Sequence, residues 1–128
     1  MKMLKDFLAS LAREPFAYGR SDCAYVLGRW WELVHGVNPA AGLHYATRQE
    51  CLDVLAGHRG LLRLVWSFAR SVGAKRTDAP QPGDFAVVRF RGLQFGAILA
   101  PSGKWAIKCS DGLYSTSRCR VLMAWSIA

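Results

Sequence analysis

The chain has 128 residues, 52% of them apolar, with five Trp and six Phe, which suits one compact domain over 1–128 with a real core and leaves little room for two. The net charge of +8 admits an anionic partner. The basic residues are scattered from Arg13 to Arg120, however, with no dense cluster, helix-turn-helix or zinc-finger pattern, which speaks against nucleic acid. No apolar run approaches the roughly 20 residues that span a bilayer, and Met1-Lys2-Met3-Leu4-Lys5-Asp6-Phe7 lacks the unbroken apolar stretch of a signal peptide. Synthesis in a cytoplasm, with no signal peptide and no membrane span, is expected.

Residues 2–13 predict an amphipathic helix with Leu4, Phe7, Leu8 and Leu11 on one side, ended by Pro15. An irregular approach over 15–21 leads to a second helix from Asp22 to His35, stopped by Gly36. Trp30 and Trp31 are neighbours on it and cannot both face one core. One of them is expected to be partly exposed beside the basic surface, as a protein contact. A loop over 36–46 ends at Thr47-Arg48-Gln49-Glu50, a capping box that opens a short helix ending near Gly57. A further helix is expected over about 61–72, with Leu61, Leu64, Val65, Phe68 and Val72 inward.

The period then changes from helix to strand. Pro80-Gln81-Pro82-Gly83-Asp84 is a turn cluster, followed by strands at 85–90, 96–100, 105–109, 113–116 and 120–127. Helices first and an antiparallel meander second give an α+β domain.

Four cysteines stand at 23, 51, 109 and 119 without a C-x-x-C pair, and His35, His44 and His58 form no H-x-x-x-H pattern. A metal site is therefore not expected, nor any cofactor, and reduced, mostly buried thiols are the ordinary reading. Cys23 differs from the others by opening a helix, where the free N–H groups and the dipole favour an anion such as a thiolate. On position alone, a buried helical cysteine is still the commoner explanation for it.

The surrounding residues add to this. Pro15-Phe16-Ala17-Tyr18-Gly19 followed by Asp22-Cys23, then Pro82-Gly83-Asp84-Phe85-Ala86-Val87-Val88, then Gln94-Phe95-Gly96-Ala97-Ile98-Leu99, occur in that order. The pattern resembles the NlpC/P60 family of papain-like cell-wall cysteine peptidases. Trp-rich helices after Asp-Cys and the terminal Ala124-Trp125 are closest to a small phage-encoded, tail-associated branch. The resemblance implies a papain-like fold, with N-terminal helices packed on a C-terminal antiparallel β-meander and Cys23 at the nucleophile position.

The departures from the family pattern are as informative. Gln94 occupies the position of the catalytic histidine, and an amide cannot serve as general base. Phe16 replaces a tyrosine whose hydroxyl assists the oxyanion, Ala24-Tyr25 replaces Ser-Gly, and Lys108 falls at the third, histidine-orienting polar position. His35 lies about 18 Å along the Cys23 helix at 1.5 Å per residue. His44, in a loop that can fold back over the cleft, is the better substitute base, although an exposed loop histidine is the commoner case.

Cys23 is thus expected to be the remnant of a nucleophile in a pseudoenzyme. The resemblance places such a chain in the virion, as a structural component of a phage tail tip or tail assembly that binds hub and distal tail proteins. An active cysteine peptidase or amidase, cutting peptidoglycan peptides during phage entry with Cys23 as nucleophile, is the alternative. A third reading, an anion-binding module, has only the net charge behind it.

Overall fold

The computed structural model describes residues 2–128. Four helices precede five strands: α1 (Lys2–Arg13), α2 (Tyr25–His35), α3 (Arg48–Gly57), α4 (Leu61–Ser71), β1 (Phe85–Phe90), β2 (Leu93–Leu99), β3 (Trp105–Cys109), β4 (Gly112–Thr116) and β5 (Arg120–Trp125). The α+β layout is as expected. The strands form one antiparallel sheet in the order β4-β3-β2-β1-β5.

Only the first four strands run as a meander. β5 does not continue beside β4 but crosses to the other edge and pairs with β1, with a register shift between Val87 and Val88. Apolar content decides this. Trp125, 1% exposed, stacks on Phe85 with ring centroids 5.5 Å apart, and that core contact is available only beside β1. β5 is also shorter than its sequence suggests. Beyond Trp125 the chain leaves the ladder, and Ile127 N–H donates to the Asp84 carboxylate at 3.0 Å.

The helical face of the sheet (Phe85, Val87, Ile98, Ala106, Trp125) packs with α1, α2 and α4 in one core. On the opposite face, Ala86, Val88, Ala97, Leu99, Trp105, Ile107 and Ala124 form a second buried cluster, with Cys23, Phe95 and Cys119 packed against it.

α2 lies at the centre, and this overturns the expectation for its tryptophans. Trp30 and Trp31 are both buried, at 3% and 6% exposure. Trp30 packs on Phe7 of α1 (5.2 Å) and donates its indole N–H to Gly83 O at 2.7 Å, while Trp31 meets Phe85 edge-on at 6.1 Å. A helix covered on two sides can bury neighbouring residues that a surface helix cannot. The exposed tryptophan is Trp66 on α4, with the Arg70 guanidinium 5.3 Å over its ring.

α3 is the exception among the helices. Thr47 Oγ1 accepts from Glu50 N–H as the capping box requires, but the Glu50 carboxylate reaches Ala46 N–H rather than that of Thr47. The helix buries no residue.

Candidate functional site

Cys23 lies in the turn that leads into α2, whose first helical residue is Tyr25 and not Asp22. Asp22 itself is what builds this turn. Its carboxylate, 5% exposed, accepts from the backbone N–H groups of Gly19 (2.7 Å), Ala24 (3.1 Å) and Tyr25 (3.0 Å), and from the Tyr45 hydroxyl (2.8 Å). Two of these are N–H groups at the head of α2 that would otherwise lack partners. The anion that the helix N-terminus attracts is therefore Asp22, not Cys23.

Alternation along β2 puts Gln94, Gly96 and Ile98 on the helical face, and along β3 puts Ala106 and Lys108 there. β2 and β3 pair only over Ile98–Ala106 and Leu99–Trp105, so the ends carrying Gln94 and Lys108 are not laddered together. A cleft of about 160 Å³ lies there, and Cys23, Gln94 and Lys108 all line it. The three predicted site residues thus meet in space. The cleft is smaller than the open groove of about 850 Å³ between α1 and α2, which no cysteine or histidine lines.

The strand approaches Cys23 closely. A Cβ on Gly96 would overlap the Cys23 carbonyl oxygen, so only glycine fits. Gly96 N–H donates to Cys23 Sγ at 3.4 Å. Part of the residue is exposed, yet its sulfur is deep. Burial pushes the thiol up to about 12. The Gly96 N–H opposes this and the Asp22 carboxylate adds to it. At neutral pH Cys23 is a thiol.

No histidine lines the cleft. His35 bonds Ile127 O at 2.6 Å through Nε2, His58 bonds Val54 O at 3.0 Å through Nδ1, and His44 is exposed beside a neighbouring groove. The expectation that His44 could fold over the cleft is not met. Its neighbour Tyr45 turns inward to Asp22 instead, where burial, followed by the Asp22 charge, raises the phenol well above its ordinary range.

Lys108 is 3% exposed, and its ammonium donates to Leu11 O at 2.7 Å and to Glu14 O. It thereby satisfies carbonyls at the C-terminus of α1, where a cation is favoured. Glu14 is also held from the other side. Its carboxylate takes a two-pronged bond from Arg29 (2.8 and 2.9 Å), which lowers its pKa. Lys108 is therefore committed to structure.

Sequence reasoning missed Tyr45 and Cys51 as cleft residues. Both come from segments whose placement relative to α2 has no local signal. All four cysteines are free, and no His/Cys/Asp/Glu cluster suited to a metal exists among the described residues.

Fold and site together define an α+β domain in which Cys23 shares a small cleft with Asp22, Gln94 and Lys108 and with no imidazole. The chain belongs to a family described as Domain of unknown function (DUF6950), whose model matches residues 1–127. Neither the curated proteins nor the solved structures gave a match.

Proposed function

We propose that this chain is a catalytically silent papain-like domain of the NlpC/P60 type. It serves as a contact component of a phage tail tip or tail assembly, docking on hub or distal tail proteins. The observation that carries the silent part is the cleft itself: Cys23 at the head of α2 shares it with Gln94 and Lys108, meets the Gly96 N–H and meets no imidazole. A Cys–His mechanism needs a base within hydrogen-bond reach of the sulfur. Three features support the papain-like reading: a cysteine leading into a helix, that helix laid against a strand, and the strand's residue at the expected base position lining the same cleft. The tail assignment rests on the resemblance of the Asp-Cys approach, the Trp-rich helix and the terminal Ala-Trp strand.

The test replaces the wild-type chain with Cys23→Ala in the phage that encodes it. Particles should retain the chain and infect at wild-type titre, and the purified protein should release no soluble fragments from peptidoglycan. Fragment release that Cys23→Ala abolishes would instead establish a cysteine peptidase or amidase. Absence of the chain from purified particles would overturn the tail role.

A further inference from the structure

We infer that the Cys23 cleft is a socket for one aromatic side chain of a partner tail protein. This extends the contact role proposed above and rests on it.

Size is the first argument. The cleft holds about 160 Å³, and an apolar protein cavity of roughly 150 Å³ accommodates a benzene ring. Lining is the second. Phe16 and Tyr18 stand at its wall as an edge-to-face pair with centroids 5.0 Å apart at 86°, a geometry that an incoming ring can continue. Cys51, on the α3 side, adds a polarisable side chain of the kind that packs well on rings.

The third argument is charge. Asp22 is occupied by its four donors, and Lys108 by the carbonyls that end α1. The cleft already holds the Cys23 thiol in its neutral form, because burial and the Asp22 charge both penalise an anion there. A carboxylate-bearing peptide is therefore disfavoured and an uncharged ring is not. Gln94, whose amide makes no hydrogen bond among the described residues, is left to meet the backbone that carries the ring.

Two features favour a chain as the source of that ring. A shallow groove of about 420 Å³, bordered by Gly19, Tyr25 and His44, adjoins the cleft through Tyr45, which lines both. The outer wall is α3, which buries no residue fully and is held to the core through half-buried Val54 and Leu55. A wall so lightly held can shift to admit a side chain.

The experiment titrates the full chain, ¹⁵N-labelled, with N-acetyl-phenylalaninamide, and with N-acetyl-alaninamide and N-acetyl-glutamate as controls. The phenylalanine probe should shift the amide signals of Gly96 and Ala24 with a Kd on the order of 1 mM. The controls should not shift them. Val54→Trp, which fills the cleft from α3, should weaken the probe at least about tenfold while keeping a native spectrum. The same substitution in the phage should deplete the chain from particles. If Val54→Trp does not fold, Cys51→Phe places a ring from the same face of α3 and carries the test. Equal shifts from N-acetyl-glutamate, or no shifts from the phenylalanine probe, refute the socket. Probe binding together with normal incorporation of the filled-cleft variant refutes the tail partner as occupant. The contact role itself fails separately, through loss of the wild-type chain from particles or Cys23-dependent release of peptidoglycan fragments.

Discussion

The state of Cys23 makes a quantitative prediction for thiol–disulfide exchange. Its pKa is raised from 9.0 to about 12, so the thiolate fraction near pH 8 falls by about 10³ relative to an unperturbed thiol. A more basic thiolate is also a better nucleophile, and a Brønsted coefficient near 0.45 over three units restores about 20-fold. The net expectation is a native rate about 50-fold below that of the unfolded chain, before any further loss from restricted access to the sulfur. The assay exposes native and urea-unfolded protein to bis(2-hydroxyethyl) disulfide across pH 6–10, quenches with acid, and quantifies the Cys23 peptide by mass spectrometry. Peptide-level reading is needed because Cys51 and Cys119 are also raised by burial. A native rate equal to or above the unfolded one, or a rate plateau reached below about pH 8, would refute the reasoning, since each requires a stabilised thiolate.

The remaining predictions concern what holds the cleft together. Gly96→Ala forces a methyl group into the Cys23 carbonyl and should cost about 2 kcal/mol or more in urea unfolding. Wild-type stability in that variant would show that α2 is not fixed against β2. Asp22→Ala strands buried donors and should cost about 3 kcal/mol, whereas Tyr45→Phe should cost about 1 kcal/mol. Together they should fall short of the sum, because the two residues share one bond. Lys108→Met leaves the carbonyls that end α1 without their donor and should cost about 2 kcal/mol, with faster hydrogen exchange in the last turn of α1. Native Cys23 keeps its proton where the unfolded chain releases it, so its contribution is full below the unfolded pKa and declines as pH rises from 9.0 towards 12. Near pH 10.5 the wild type should have lost about 2 kcal/mol relative to Cys23→Ala, measured against their difference at pH 7.

Much of the architecture was legible because its signals are local. The apolar period of 2–13, the punctuation at Pro15 and Gly36, the capping residues at Thr47 and the β-rich runs after Pro82 each depend on neighbours in the chain. The structure keeps nearly all of those boundaries. Asp22-Cys23 and Gln94 were singled out by their motifs and Lys108 by strand spacing; alternation along β2 and β3 accounts for the latter two facing one cleft.

What failed to be legible was long-range. No local feature tells that β5 returns to β1 instead of extending the meander, since that depends on where Trp125 finds a stacking partner. Nor could periodicity tell that α2 is covered on two sides, which is why Trp30 and Trp31 are both buried. The sequence alone determined the element types and the α+β layout. The tertiary structure decided what the cleft residues do. It gave the helix N-terminus to Asp22, the α1 carbonyls to Lys108 and the Gly96 N–H to Cys23. Desolvation and charge at a buried thiol arise from packing across seventy-odd residues of chain, and packing is set by the fold as a whole, not by any one segment.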